Sequence, residues 1–265
     1  YSVFMEGCRE SGKDIVEGGA KYHNIGITTI ALGNTVNALL NIQRYVFEER
    51  QFDLVDVKKI SLFNYEGYEE VAGILRTNEA QYGCDSDEVI SLSNELLRFV
   101  SKETEDFRLP DGGRLKFGSS SPSFIMEGSS AEASFDGRRK GDPFQVHISN
   151  ENITSYTEII HFAASLDYGG NRFNGNVVDF MVSSSFIQEN FEKFALMIRR
   201  GIEVGFFQLQ MNVADSNTLI EAKRNPDSFP HLLVRVWGFS AYFVELPESY
   251  QDLLIERALR NEGKR

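Results

Sequence analysis

Two cysteines, Cys8 and Cys84, are too few for a disulfide framework and fit a reducing compartment. Basic charge is also scarce: 27 Lys and Arg stand against 39 Asp and Glu, giving a formal charge of -12 and a pI near 4.9. Nucleic acid and anionic membrane are poor partners for such a chain, because binding to phosphates needs clustered cations. The one basic cluster, Arg138-Arg139-Lys140, is short and reads as a solvated loop. The four histidines, His23, His147, His161 and His231, lie far apart, with no His-x-x-x-His or Cys-x-x-Cys spacing, so no metal is expected. Missing too are an apolar run of membrane-spanning length, a signal peptide, a Gly-x-x-x-x-Gly-Lys-Ser/Thr phosphate loop and any internal repeat. These absences leave a soluble, cytoplasmic globular protein, with 42% hydrophobic and 25% charged residues in a chain of 265, enough for one large or two small domains.

Taken in order, the chain opens without an initiating methionine on Tyr1-Ser-Val-Phe-Met5, an apolar run that reads as a buried strand ending in a loop at Glu6-Gly7-Cys8. That opening suggests the C-terminal portion of a larger protein or one half of a split one. Residues 18 to 33 are rich in Gly and Thr and read as a loop or irregular crossing. Asn34 looks like the N-cap of a helix to about Glu49, with Val36, Leu39, Leu40, Val46 and Phe47 as its apolar stripe. Asp85-Ser-Asp-Glu88 has neither the Gly nor the distal Glu of a calcium loop and more simply caps a helix to about Lys102, whose buried face is Val89, Leu92, Leu96 and Val100. Residues 109 to 150 read as loop-rich, with turns at Asp111-Gly-Gly, Gly118-Ser-Ser-Ser-Pro122 and Gly128-Ser-Ser. A helix from about Ser185 to Gly201, a strand over Phe206–Val213, a short helix capped by Asp215 and a last helix begun by Pro247 complete the pattern.

Near the end, the β-type run Leu232 to Val236 delivers Trp237 and then Gly238 among aromatic residues. An isolated glycine after a strand is usually a turn. A lone cysteine such as Cys8 is usually a small, inert hydrophobe, and a loop carboxylate such as Glu10 is usually solvated. Both simple readings stay open on the residues alone. Together, however, Arg235-Val-Trp-Gly-Phe-Ser-Ala-Tyr-Phe243 resembles the C-terminal signature of the glycyl radical enzymes, and Gly7-Cys8-Arg9-Glu10 resembles their Gly-Cys-Val-Glu loop. Gly18-Gly19-Ala20-Lys21-Tyr22, Asn64-Tyr-Glu-Gly-Tyr-Glu-Glu70, Gln81-Tyr-Gly-Cys-Asp85, Phe135-Asp-Gly-Arg-Arg-Lys-Gly-Asp-Pro143 and the Gln208, Gln210, Asn212 strand are similar to further stretches of that family. They occur in the family's order along essentially the entire chain. Where relatives continue with Gly-Ile-Ser-Pro, this chain has Val146-His-Ile-Ser-Asn150, which implies a differently shaped rim.

The resemblance implies an α/β fold, the C-terminal part of a ten-stranded barrel made of two half-barrels of parallel strands. Residues 1–135 would hold the Cys loop and partial barrel, and 136–265 the glycyl radical domain. Such a chain could not close a barrel alone, so open edges, unburied apolar faces and association are expected. Gly238 would carry the radical, Cys8 would become the thiyl that takes a substrate hydrogen, and Glu10 would accept a proton. Cys8 and Glu10, at i and i+2 of an extended loop, would point into one cavity. Cys84 stands where the family has an Asn-like place and is expected to be structural. Gln208, Gln210 and Asn212 would share one face toward the barrel interior.

No bound cofactor is implied beyond the protein radical, which a separate radical S-adenosylmethionine activating enzyme would install. The other partners implied are the upstream half of the enzyme, a small-molecule substrate and a second copy in a homodimer. Gly7 precedes Cys8 where formate acetyltransferases resemble each other in a Cys pair, which disfavours acetyl transfer. Elimination from a small polyol-like substrate is the favoured reaction. Arylacetate decarboxylation, a formate acetyltransferase-like activity of the same family and a non-catalytic spare radical subunit remain as alternatives, although a spare subunit would not need the cysteine. This chain departs from the family pattern at Arg9 for Val, at Phe239 for Tyr, and at Trp237, a bulky residue beside the radical glycine where a small one is usual. Arg9 either binds an anionic substrate group or points to solvent.

Overall fold

Short β-branched runs alternate here with longer amphipathic stretches, a pattern that favours parallel strands joined by helical crossovers. In the computed structural model, which describes residues 1–120, 122–149 and 155–262, the pattern becomes two parallel three-stranded sheets and a C-terminal hairpin. In chain order the elements are α1 (Cys8–Ser11), β1 (Asn24–Thr28), α2 (Leu32–Ile42), α3 (Leu54–Leu62), α4 (Glu69–Arg76), α5 (Asp87–Glu105), β2 (Arg114–Ser119), α6 (Phe124–Ser130) and β3 (Ile148–Ser149). There follow α7 (Tyr156–Ser165), β4 (Arg172–Gly175), β5 (Val178–Val182), α8 (Ser184–Val204), β6 (Leu209–Val213), α9 (Ser216–Arg224), β7 (Leu233–Val236), β8 (Phe239–Tyr242) and α10 (Glu248–Glu262).

The sheets run β1-β2-β4 and β3-β5-β6, every neighbour parallel. Only Asn176 and Val177 separate β4 from β5, and Asn176 takes a φ of 49° there, so the chain passes from one sheet to the other within two residues. β5 is buried along its whole length, as expected of a central parallel strand. Phe162 and Ile159 of α7 and Phe194 of α8 join Val178 and Phe180 in the main core, while Phe124, Leu219, Val236, Trp237, Phe243 and Leu254 form a second core beneath the hairpin. Among the described residues no helix is long and apolar enough to cross a membrane.

Several sequence expectations need correction. Tyr1–Met5 is not a buried strand: Ser2–Phe4 form a 3-10 turn with Tyr1 and Phe4 exposed, and the first strand is β1, inside the segment read as a loop. A strand is fixed by its neighbour, and residues 24 to 28 pair in register with 114 to 118, also read as loop, which apolar periodicity could not reveal. Helix α2 begins at Leu32, so Asn34 is no cap. Its buried side chain instead donates from Nδ2 to Asp136 Oδ2 at 2.6 Å and accepts from the Gln145 N–H at 2.7 Å. In the expected stripe Val36 and Leu40 are buried, whereas Leu39 and Phe47 are exposed; Phe47 lies in the stretch Gln43–Glu48, where the helix widens into a π turn. Arg138 is not solvated either. Its guanidinium is buried over the Phe144 ring, bonds to the carbonyls of Glu132, Arg139 and Asp142, and is held below its ordinary pKa first of all by desolvation.

Other expectations hold. Ser86 caps α5 and Val89 lies in its buried face; α8 covers the expected helix; α10 starts directly after Pro247. Asp215 does precede α9, but its carboxylate accepts from the Ser184 N–H at 2.9 Å, while Glu262 takes the N–H and hydroxyl of Ser216. Cys84 is half-buried, its Sγ 3.3 Å from the Glu79 carbonyl, with burial raising its pKa. The expected unburied faces are present: Ile25 and Ile27 on edge strand β1, and Met211 and Val213 on edge strand β6, are exposed. Ser121 of the expected Gly118–Pro122 turn, Asn150 of the expected rim and residues 263–265 of the expected second domain lie outside the described residues.

Candidate active site

The hairpin β7-β8 is built on alternation. Leu233 pairs with Tyr242 and Val236 with Phe239, leaving Trp237 and Gly238 as the two-residue turn. Antiparallel pairs alternate between those that exchange both backbone bonds and those that exchange none. The Phe243 N–H donates to the Leu232 carbonyl at 2.7 Å, which by alternation makes Val234 and Val236 bonded positions and turns the N–H and C=O of Arg235 outward. Asn212 on β6 takes both, so the hairpin is attached to the sheet there. Gly238 sits at the second turn position with φ 102°, a region open to glycine and strained for other residues. It is exposed, and a Cβ built on it would meet nothing within 4 Å.

Trp237 does not crowd that glycine. Its side chain turns the other way and is buried to 2% exposure, edge-on to Phe124 with ring centroids 4.6 Å apart. The indole Nε1 donates to Asp179 Oδ2 at 2.8 Å, and the Arg257 guanidinium of α10 lies 5.2 Å from the indole ring centre. Asp179 is fully buried in β5, ion-paired through the same Oδ2 to Arg257 Nη1 at 2.8 Å, and accepts from Gln210 Nε2 at 3.2 Å. A buried carboxylate needs such partners to remain charged. His147 is buried nearby, and desolvation, set against Asp179 and reinforced by Arg257, brings its pKa down to about 4. Gln210 and Asn212 are buried on one face of β6 as expected. Gln208 lies before the strand and is exposed, so the three do not share a face.

At the other end of the chain, Gly7 (φ 93°) turns the backbone into the single helical turn α1. A Cβ on Gly7 would stand 2.7 Å from the Gly19 carbonyl oxygen and 2.9 Å from the Lys21 nitrogen, so the Gly7 loop and the Gly18-Gly19-Ala20-Lys21 stretch are packed backbone to backbone. The Lys21 N–H donates to the Glu6 carbonyl at 3.0 Å, and His23 Nδ1 lies 2.8 Å from Asp111 Oδ2 at the head of β2. Cys8 is buried in this unit, at 3% exposure.

Glu10 does not accompany Cys8 inward. The loop is helical rather than extended, so residues two apart point to different sides. The Glu10 carboxylate is exposed, accepts from the Gly7 N–H at 2.6 Å and lies 3.6 Å from Arg9. Bonds from its own backbone N–H first, then from that of Gly7, lower its pKa. Arg9 points to solvent. The partners of the Cys8 loop belong to residues 13–23 and 111, those of the Gly238 hairpin to β5, β6, α6 and α10, and the two loops share none of the bonds described above.

Sequence reasoning singled out Cys8 and Gly238 by motif and gave no place to the buried cluster of Asp179, Arg257 and His147. One signal was available: Asp179 interrupts the apolar run Val177–Val182, where a carboxylate has to be paired.

A family model described as "Pyruvate formate lyase-like" matches residues 1–126, and another described as "Glycine radical" matches residues 139–244. A trans-4-hydroxy-L-proline dehydratase of Clostridioides difficile is 28% identical over 97% of this chain and 33% of its own length. A (2S)-3-sulfopropanediol dehydratase of Klebsiella oxytoca is 27% identical over 97% of this chain and 32% of its own. The glycerol-bound B12-independent glycerol dehydratase of Clostridium butyricum superposes with a TM-score of 0.87 at 26% identity, over 96% of this chain and 33% of that one. The chain thus spans about a third of the length of these relatives. Ordered motifs, half-barrel sheets and the glycine hairpin agree with these matches: the chain belongs to the glycyl radical enzymes and corresponds to their C-terminal portion.

Proposed function

We propose that this chain is the radical-bearing portion of a glycyl radical lyase that eliminates a leaving group, water in the favoured case, from a small polyol-like substrate. The observation that carries the reading is Gly238 itself: its α-carbon is presented at the tip of a firmly seated hairpin, exposed and with open space where a side chain would stand. A glycine radical is planar and delocalised onto the flanking amide nitrogen and carbonyl, and the absence of a side chain leaves that plane free. The similarity to relatives named as dehydratases supports the choice of elimination.

In this reading a radical S-adenosylmethionine activating enzyme removes one α-hydrogen from Gly238. The Cys8 S–H bond then breaks homolytically and its hydrogen atom passes to Gly238, leaving a thiyl. The thiyl abstracts a hydrogen atom from a substrate carbon that bears a hydroxyl. Glu10 takes the hydroxyl proton and hands it to the departing hydroxide as the neighbouring C–O bond breaks, so that water leaves and a carbonyl-conjugated radical remains. Return of the hydrogen atom from Cys8 completes the product, and transfer back from Gly238 restores the stored radical. For Glu10 to act, its bond to the Gly7 N–H has to open and its carboxyl turn toward Cys8. Burial on assembly with an upstream barrel half would also raise the carboxyl's pKa and make it a better base. Arylacetate decarboxylation uses the same thiyl step and stands as the second reading, favoured by the similar indoleacetate decarboxylase of Tractidigestivibacter scatoligenes, 24% identical over 97% of this chain.

Anaerobic electron paramagnetic resonance tests the assignment. The chain, together with an upstream barrel half, is incubated with an activating enzyme and S-adenosylmethionine, and with [2-2H]glycine labelling in parallel. A doublet that collapses on deuteration and is lost in Gly238→Ala is expected. No doublet from a complex that the activating enzyme demonstrably binds would overturn it.

A further inference from the structure

We propose that Asp179 is a positioning residue for the hairpin that carries Gly238, acting through Trp237 and Arg257. As a statement about radical chemistry this rests on the reading of Gly238 given above. As a statement about the hairpin it stands on geometry alone. One carboxylate oxygen, Asp179 Oδ2, receives both the indole N–H of Trp237 and the guanidinium of Arg257, each at 2.8 Å, while Oδ1 is held by Gln210 at 3.2 Å. The carboxylate therefore ties together the hairpin turn, the last helix and two neighbouring strands of the sheet. Asp179 lies at the centre of a parallel sheet, the most rigid place available for an anchor, and is fully buried.

Trp237 is the residue before Gly238 in a two-residue turn, so fixing the indole fixes the backbone that enters the glycine. A small residue at position 237 could make neither the bond nor the contact with Phe124. Trp237, Arg257, Arg138 and Asn34 also line a cleft of about 460 Å³. Packing against Phe124 and the hydrogen bond to Asp179 together hold the indole, and the hydrogen bond fixes its orientation.

Trp237 is the only tryptophan of the chain, so its fluorescence reports on this seat and nothing else. The test compares the full chain with Asp179→Asn and Trp237→Phe. Emission and acrylamide quenching are read for the first variant, and backbone amide exchange at residues 233–242, referenced to 178–182, for both. The Asn variant keeps the shape but leaves Arg257 without its counter-charge, which lowers overall stability. The Phe variant removes the indole N–H together with part of the ring's packing and leaves the ion pair of Asp179 with Arg257 intact.

Exchange of the hairpin amides is expected to accelerate about tenfold or more in each variant, the worth of one hydrogen bond to a charged group, while β5 stays protected. Emission should shift to the red in Asp179→Asn. Hairpin exchange unchanged from wild type in Trp237→Phe would overturn the proposal. A radical doublet, measured on the assembled wild type as above, separates the two claims. Its absence with a loosened hairpin in the variants would remove the reading of Gly238 and leave Asp179 as the hairpin's anchor. A doublet of equal yield and lifetime in wild type and a loosened Trp237→Phe would remove the link from anchor to radical.

Discussion

Asn212 holds Arg235 by both halves of its backbone: the amide Nδ2 donates to the Arg235 carbonyl at 2.9 Å, and Oδ1 accepts from the Arg235 N–H at 2.7 Å. These are the groups that hairpin alternation turns away from β8, and a side-chain amide, with one donor edge and one acceptor edge, can satisfy the two at once. Asn212→Ala should therefore cost about 2 kcal/mol, since both groups lose a partner at a largely buried joint. Asn212→Asp, which keeps the acceptor but sets a carboxylate oxygen against a carbonyl, should cost no less. Urea unfolding checks the magnitude and amide exchange at Arg235 the place. An Ala variant as stable as wild type would show that the hairpin does not depend on this joint.

The sequence made some of this legible. The helices α5 and α8 could be read because a long stripe of 3.6 period and a Ser cap are local signals, and the edge strand β6 because it alternates. Strands β1 and β2 could not be read. Each is short and contains glycine, and each is a strand only because residues 90 positions away lie beside it, as Asn24 lies beside Arg114. At the site, Cys8 and Gly238 were visible as motifs. The orientation of Glu10 was misread because an i, i+2 argument holds for an extended chain, and Gly7 starts a helical turn instead. The seat of Trp237 was invisible for another reason. Asp179, Trp237 and Arg257 are scattered along the chain, and the tryptophan looked like an obstruction until its partner on β5 was seen.

Gly7 and Gly238 have nearly the same backbone angle and opposite surroundings. At Gly7 a methyl group would be pressed against the Gly19 carbonyl and the Lys21 nitrogen, both backbone atoms that cannot swing aside. Gly7→Ala should displace the Cys8 loop, and the thiol itself gives the readout. In a Cys84→Ser background, Cys8 in the parent should react slowly with an aromatic disulfide because it is buried. Adding Gly7→Ala should raise the rate at least about tenfold, as expected for a strained turn costing on the order of 1–3 kcal/mol. An unchanged rate would mean that the loop tolerates the methyl group by a local shift.

At Gly238 the surroundings are open, and only the φ of 102° opposes a side chain. Gly238→Ala should cost about 1–2 kcal/mol of backbone strain, leave the rest of the fold intact and keep Trp237 in its seat. Its tryptophan emission should match that of wild type. A red-shifted emission would show that the substitution also unseats the hairpin, and would disqualify it as a clean control for the radical measurement.

His147 adds a pH dependence with a definite sign. It is buried with Nδ1 lacking a hydrogen-bond partner among the described residues, and desolvation first, then Arg257, outweighs the opposing pull of Asp179 to bring its pKa to about 4 from the ordinary 6.5. Between these two values the unfolded chain binds a proton that the folded chain refuses, so stability rises with pH across the window and is lost as pH falls through it. Above about pH 6.5 the imidazole is neutral in both states and contributes no dependence; by about pH 4 the accumulated loss is on the order of 3 kcal/mol. Other groups titrate in the same range, so the quantity to measure is a difference. The urea midpoint of wild type, minus that of His147→Gln, should fall progressively from pH 7 to pH 4.5, because the glutamine has no proton to take up. A difference that stays flat would mean that His147 is hydrated or paired in solution, and that the polar cluster around Asp179 is more open than its burial indicates.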